Sequence, residues 1–368
     1  MLSSLNIQAF RNLRLVRLGP LSRHNVVFGD NGSGKTSLLE AAHILGTAKS
    51  FRSGGPSSLI SHGEQAFVVH GETRVTQGSV RSVGVQRAFK GELSLRVAGA
   101  KAESVARLAD ELPLLLINAD SFDLLAGAPV NRRRFLDWGL FHVEHEAREG
   151  RRRFQRSLEQ RNHLLRRDKL DLNELAVWTR DLAEQGEQVS VARGSFLAAL
   201  NEAFEPLIQE LVPEVGKVRL AYRQGWDSSL SYADALEKAA LSDHEQGYTQ
   251  SGPQRADIRV TVDGYPAAET LSRGQQKLLV CALKLAQGTI FSAREHAEVL
   301  YLIDDLPSEL DRERCERVCR ALARMAVQSL ITCVDKTALP LDWLGGLSTV
   351  SMFHVEHGQV VSESGIGS

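Results

Sequence analysis

Eight residues, "GDNGSGKT" from Gly29 to Thr36, constrain this chain more than any others. They follow a short apolar run, "HNVVF", and lead into "SLLEAAHILG", which has helical spacing. The pattern fits G-x-x-x-x-G-K-[ST], and its context is the strand, loop and helix that this pattern needs. The glycines let the loop wrap with its N–H groups facing one anion. Gly29, Asp30, Asn31, Gly32, Ser33, Gly34 and Ser37 are therefore expected nucleotide contacts. Lys35 is placed to neutralise β- and γ-phosphates, and Thr36 to put its hydroxyl on Mg²⁺.

Two further stretches bear on the same chemistry. "EVLYLIDDLPSELD" sets Asp304 and Asp305 directly after an apolar run. An aspartate in that place holds Mg²⁺ in P-loop NTPases, and Asp304 fits that role. Asp305 is the candidate to orient the attacking water. Adjacent buried carboxylates are costly unless a cation offsets them. The other stretch is "TLSRGQQKLLV", Thr270 to Val280. A hydroxyl, a glycine and an amide at a helix start form a second anion-binding arrangement, far from the first.

The chain has 368 residues, room for two or three domains. Its formal net charge is −1, so no global field points to a polyanionic partner. The distribution is uneven. Residues 130–170 hold twelve Lys/Arg against six Asp/Glu, and residues 241–311 hold six against eleven. Such asymmetry suits an anionic polymer. The four cysteines, at 281, 315, 319 and 333, form no CxxC, which argues against a metal site and against a disulfide framework. No apolar run approaches a membrane span, and the N-terminus lacks the apolar core of a signal peptide. A reduced, cytoplasmic protein is expected.

Along the chain, "LSSLNIQAFRNLRLVRL" alternates as a strand pair, and residues 67–97 alternate as a run of antiparallel strands. "PLLLINAD" reads as a buried strand. From Asn131 to about Leu211 glycine is scarce and Arg, Leu, Glu, Gln and Ala dominate. One or two long helices are expected up to Leu170 and two more up to Leu211, with Asp171 and Asn173 as N-cap candidates. Strand patterns return at "KVRLAYRQGW" and "ADIRVTVDGY", followed by helix, strand, helix, strand and a terminal hairpin. The expected organisation is an α/β domain in two pieces, 1–120 and 216–368, whose strands join in one sheet. A helical lobe, 121–215, is inserted between them.

In that order, "GDNGSGKT", "LSRGQQK" and "LIDDLPSELD" resemble the ATP-binding-cassette ATPases of the SMC-like, DNA-repair branch. "IQAFRNLRLVRL", "LEAAHILGTAKSFR", "NRRRFLDW" and "FHVEHGQV" resemble the RecF family of bacterial recombination proteins within it. The resemblance covers nearly the whole chain and is weakest in the helical lobe after Arg152. It implies an ABC-type P-loop ATPase head, a mixed sheet with flanking helices, carrying an inserted α-helical lobe. It implies that "LSRGQQK" is a signature motif, with Ser272, Gly274 and Gln275 contacting ATP held by another subunit. Asp311, in "SELD", matches a D-loop at the dimer seam. The implied cofactors are ATP and Mg²⁺. The implied activity is a weak, DNA-stimulated ATPase that switches an ATP-dependent homodimer on DNA, duplex, gapped or at a ss/ds junction. Implied partners are RecR, RecO and RecA.

Departures from the family pattern matter. Arg273 replaces the first glycine of the transporter signature. The switch histidine expected after "SLITC" is absent, and Thr332 and Asp335 occupy its neighbourhood, which implies slow hydrolysis. A Q-loop glutamine is not distinguished among Gln65, Gln77 and Gln86. Arg52 resembles an arginine that reaches nucleotide or DNA, and Arg11 and Asn12 are further flanking candidates.

"FHVEH" occurs twice, at 141–145 and 353–357. One copy has helical context and the other strand context, so the shared spacing cannot give a shared ligand geometry. Both are expected to be structural. The arginine clusters 132–134, 151–153 and 166–167 are candidates to face DNA phosphates or to be ordinary solvated helix faces. A transporter-coupled ATPase is the competing reading. A small-molecule kinase would leave the signature and D-loop without a purpose.

Overall fold

The computed structural model describes residues 1–52, 54–74, 79–167, 169, 171–325, 327–339 and 350–363. It divides into two units. The first comprises Met1–Phe122, Glu210–Val212 and Arg273–Ser368, and the second Asp123–Gln209 and Pro213–Ser272.

Two six-stranded sheets build the first unit. One is antiparallel: β1 (Leu2–Phe10), β2 (Leu13–Leu18), β4 (Ala66–Arg74), β5 (Val80–Ala88), β6 (Leu93–Val97) and β7 (Ala100–Lys101), in the order β2-β1-β4-β5-β6-β7. Its alternation is strict enough to assign each face. Val16, Ile7, Val69, Val85 and Leu95 pair in register across five strands and are buried. One residue along, Arg17, Asn6, His70, Gly84, Arg96 and Lys101 pair across all six on the opposite face. Period-two alternation produces both rows from the same strands.

The other sheet combines strands from both ends of the chain. It contains β3 (His24–Phe28), β8 (Leu114–Ile117), β12 (Leu300–Ile303), β13 (Gln328–Cys333), β14 (Val350–Glu356) and β15 (Gln359–Glu363), ordered β15-β14-β3-β13-β12-β8. All pairings are parallel except β14 with β15. Its central strands β3, β13 and β12 are wholly buried, as strands covered on both faces must be. The helix Lys35–Thr47 lies within the same core, with Leu38, Leu39, Ala41, Ala42 and Leu45 packed among residues of both sheets. Each of its buried leucines contributes about 1.5–3 kcal/mol.

The second unit contains the helices Pro129–Val143 and His145–Leu165, most of the helix Leu172–Leu211, and a small sheet. That sheet is β9 (Val218–Arg223), β10 (Asp257–Val262) and β11 (Tyr265–Pro266), ordered β11-β10-β9. Two expectations change here. Leu172–Leu211 is one 40-residue helix, not two. Gly186, inside it, makes room for a ring: a Cβ there would lie 2.3 Å from Tyr232 Cε1. The second unit also runs to Ser272, past the boundary expected at 215–216, because β9 to β11 pair only with each other among the described residues. Asp171 caps the long helix, its Oδ1 accepting from the N–H groups of Asn173 and Glu174 at 3.0 and 3.1 Å. Asn173 is already inside it.

Candidate nucleotide site

The P-loop connects β3 to the helix Lys35–Thr47. Two of its glycines are required by geometry. Gly29 has φ +149°, and a Cβ there would fall 2.2 Å from the Val355 carbonyl oxygen; Gly34 has φ +123° and would meet Leu13 at 2.9 Å. Asn12 braces the loop, its Nδ2 donating to the carbonyls of Ser33 and Gly32 at 3.3 and 3.4 Å. Gly358 N–H donates to Ser33 O at 2.9 Å. The helix start has no side-chain cap and no acidic residue in its first turn, so its N–H groups face the loop without a competing anion.

Lys35 is buried, and its Nζ donates to the carbonyls of Gly29 and Asp30 at 2.7 and 2.9 Å. A cavity of about 590 Å³ opens beside it. Asn31, Gly32, Gly34, Lys35, Thr36 and Ser37 line one wall, with Asp305 and Thr332 opposite and Arg11, Asn12 and Arg52 at the rim. Gly29, Asp30 and Ser33 shape the loop without lining the cavity.

The strand order explains the opposite wall. β13 lies between β3 and β12, so Thr332 stands between the P-loop and the paired aspartates. Asp304 Oδ1 accepts from Thr332 Oγ1 at 2.8 Å and from Thr36 Oγ1 at 3.1 Å. Thr332 Oγ1 in turn accepts from Asp305 N–H at 2.8 Å. Burial holds the Asp304 carboxyl above the usual carboxylate range; hydrogen bonds from Thr332 and Thr36 oppose it, and the Asp305 charge adds to it. Asp305 takes a left-handed conformation, φ +48°, costly for a residue with a side chain and frequent at functional sites.

These residues fit Mg²⁺. Thr36 and Asp304 offer hard oxygens side by side, and the carboxylate is one that burial penalises without a cation. No cluster of three or more His, Cys, Asp or Glu able to hold a metal occurs among the described residues. Mg²⁺ needs none, since one or two carboxylates plus phosphate oxygens and water suffice.

Gly274, Gln275 and the D-loop belong to the first unit. Gly274 and Gln275 lie in the helix Arg273–Glu295, and Ser272, exposed, immediately precedes it. Gly274, Gln275 and Asp311 are not among the residues lining the cavity. A Cβ at Gly274 would lie 2.6 Å from Arg314 Nη1, so the glycine admits a guanidinium within its own chain. Arg314 is held there by Asp311, whose carboxylate accepts from Arg314 N–H and pairs with Arg314 Nη1 at 2.6 Å. Lys277 Nζ reaches the Glu309 carboxylate at 2.6 Å and its carbonyl at 2.8 Å. Ser308 bonds back to the Asp305 carbonyl through its N–H and hydroxyl. A continuous set of contacts therefore runs from Asp305 to the signature helix.

Several sequence candidates fall elsewhere. Gln65 and Gln86 do not line the cavity, and Gln77 lies outside the described residues. The first "FHVEH" spans a helix junction, with His142 buried against Trp138 at 4.4 Å; in the second, His354 stacks on Phe28 at 5.0 Å. Most of the clustered arginines serve the second unit itself. Arg132 forks onto Asp257 at 2.6 and 3.1 Å and bonds three carbonyls. Arg133 bonds the Ala256 carbonyl, Arg151 pairs with Asp137, Arg152 and Arg153 with Glu149, and Arg167 with Glu174. By contrast, Arg17, Arg96 and Lys101 of the aligned row are exposed on the antiparallel sheet. Glu40 was not singled out in the sequence: buried on the P-loop helix, it pairs with Arg11 at the cavity rim.

The described residues contain no helix long and apolar enough to cross a membrane. The family model "RecF/RecN/SMC N terminal domain" matches residues 1–357. The chain is 46% identical over 367 residues to the DNA replication and repair protein RecF of Pseudomonas aeruginosa (strain LESB58), covering 100% of this chain and 99% of that one. It is 46% identical over 364 residues to RecF of Stutzerimonas stutzeri (strain A1501), covering 99% and 98%. Among solved structures, the recombination mediator protein RecF-ATPrS of the RecFOR pathway superposes with a TM-score of 0.87 at 23% identity, covering 99% of this chain and 98% of that one. The Smc head domain of Pyrococcus furiosus bound to the C-terminal domain of ScpA gives 0.58 at 16% identity, covering 99% and 96%. Those two likenesses concern the fold.

Proposed function

Because the chain belongs to the RecF/RecN/SMC N-terminal-domain family, and within it to the RecF DNA replication and repair proteins, we propose that it is an ATP-switched DNA-binding dimer. It would act in recombinational repair and in processing replication gaps. One observation carries the dimer: the cavity beside Lys35 is lined by the P-loop, Asp305 and Thr332, with Asp304 bonded just behind Thr36 and Thr332, while no residue of the signature or the D-loop lines it. A second copy, placed head to tail, would supply Ser272, Gly274 and Gln275 to the triphosphate and bring Asp311 to the seam.

Within each site the roles follow the geometry. Lys35 exchanges its loop carbonyls for β- and γ-oxygens. Thr36 and Asp304 would hold Mg²⁺, which would supply charge stabilisation to the transferred phosphoryl group when bound. Asp305 orients the attacking water, its backbone fixed by Thr332. No histidine follows "SLITC" to assist at the γ-phosphate, so hydrolysis is slow and serves as a reset. Thr332 instead ties Asp304 and Asp305 together. The contacts from Asp305 through Ser308 and Glu309 to Lys277 would link that chemistry to the surface that meets the partner.

DNA is the occupant that suits the exposed row on the antiparallel sheet. Arg17, Arg96 and Lys101, with His70 and Asn6 between, make a basic track that would take duplex phosphates without reading bases. RecO, RecR and RecA would act with it at a gap or ss/ds junction, in the cytoplasm. The same family relationship favours this role over coupling to a transporter.

Mixing two inactive variants tests the shared site. Lys35→Arg disables the cavity and Ser272→Arg the signature face. Each alone should be inactive, and a mixture should recover DNA-stimulated hydrolysis, because one composite site per mixed dimer is intact. If Ser272→Arg alone hydrolyses ATP at the wild-type rate, the signature is not part of the site and the shared-site reading is wrong.

A further inference from the structure

The carboxylate of Glu40, fully buried, gathers three side chains at the rim of the nucleotide cavity. Arg11 forks onto it, Nε to Oε2 at 3.0 Å and Nη2 to Oε1 at 2.8 Å. The Ser50 hydroxyl donates to Oε1. Arg52 Nη1 stands 3.8 Å from Oε2. Arg11 is 16% exposed and further fixed by the Ser58 carbonyl at 3.0 Å, whereas Arg52 is 46% exposed. Both arginines line the cavity that contains Lys35 and Thr36.

A buried carboxylate must keep a counter-charge. Arg11 provides one with bidentate geometry, the strongest form of such a pair. The Arg52 contact is long and partly solvated, so Arg52 can turn to another anion while Glu40 stays paired. We propose that Glu40 is the positioning residue of the nucleotide site. It fixes Arg11 as a permanent cation at the rim and poises Arg52 as the arm that swings from carboxylate to phosphate when a triphosphate enters. This rests on the assignment of the cavity to ATP. It goes beyond that assignment in naming which arginine is fixed, which one responds, and the group that separates the two roles.

The test uses opposite signs. If Glu40 were only a negative charge near the triphosphate, Glu40→Gln would tighten ATP binding. If Glu40 positions both arginines, Glu40→Gln weakens it. Fluorescent ATP analogue and Mg²⁺ are titrated into the full chain, as wild type, Glu40→Gln, Arg52→Ala and the double variant, with Lys35→Ala as control. Losing an aligned, charge-assisted contact predicts a Kd raised roughly tenfold for Glu40→Gln. Arg52→Ala should then add less in that background than in the wild type. In steady-state hydrolysis the change should fall on KM more than on kcat. Equal or tighter binding by Glu40→Gln, or full multiplication of the two factors, overturns the proposal. Should Glu40→Gln fail to fold, Arg11→Lys keeps the charge and loses the fork; the same weakening is expected, and unchanged affinity overturns it. A wild type that binds no more tightly than Lys35→Ala would reject the ATP assignment itself, and this proposal with it.

Discussion

Asp304 shows why a site residue can oppose stability. Its carboxyl is held above the usual range chiefly by burial. Ionising it in the folded protein therefore costs stability. That cost is absent at acid pH, grows as pH rises from the ordinary carboxylate value through the raised one, and is fully present at neutral pH. Asp304→Asn should melt a few degrees higher than wild type at pH 7 without Mg²⁺ or nucleotide, and the advantage should shrink near pH 4. Thermal melts at the two pH values check this; a lower Tm at pH 7 would show that the carboxylate's hydrogen bonds outweigh its burial. Thr332→Val is the complementary change. It keeps the shape, removes a donor to Asp304 and an acceptor for Asp305 N–H, and should cost about 1–3 kcal/mol in denaturant titration. The P-loop residues were legible in the sequence because their chemistry is local, loop and helix in one short segment. Glu40 was not, since its partner Arg11 lies 29 positions away on the other side of two strands. Thr332 was noticed only for its position, because nothing in "SLITC" announces a bond to Asp304.

At the level of elements, two glycines do different work. Gly274 sits under the Arg314 guanidinium, the far end of a flexible side chain. Gly274→Ala should displace Arg314 from Asp311, a partly exposed pair whose loss costs less than about 1 kcal/mol. The fold should survive with Tm nearly unchanged, while ATP-dependent association is lost; unimpaired association would remove Gly274 from the seam. Gly139 faces a rigid neighbour instead. A Cβ there would lie 2.2 Å from Phe196 Cζ, and Phe196 is fully buried. Gly139→Ala should cost about 1–3 kcal/mol, measurable by chemical denaturation, because neither helix can yield cheaply. The strands and their alternation were readable because one face of the antiparallel sheet is buried and the other is not. The sequence expectation divided residues 171–211 into two helices, whereas Gly186 lies inside a single one. Propensity alone does not reveal that Tyr232, 46 residues on, occupies the space that glycine leaves.

For the whole molecule, the strands of both chain ends were expected to join in one sheet; β3, β8 and β12 to β15 do, whereas β1, β2 and β4 to β7 form a second sheet of their own and β9 to β11 a third. The family follows from the matches spanning the chain. The end of the inserted unit was less legible, because β9 to β11 have the same alternation as strands of the larger sheets and sequence does not say which sheet a strand joins. The arginine clusters left two readings open in sequence for a related reason: charge density is visible there, but the carboxylates and carbonyls that pair with it are not. The central claim is the proposal that ATP joins two copies, argued from signature and D-loop residues that do not line the cavity of their own chain. Sedimentation velocity of the full chain tests it most directly, run with no nucleotide, with ADP, and with ATP and Mg²⁺, each with and without gapped duplex. The sedimentation coefficient should shift to that of a dimer with ATP and not with ADP, more completely on gapped duplex, and the shift should vanish in Ser272→Arg. A chain that binds ATP yet sediments identically in all three nucleotide conditions, with DNA present, would contradict the account.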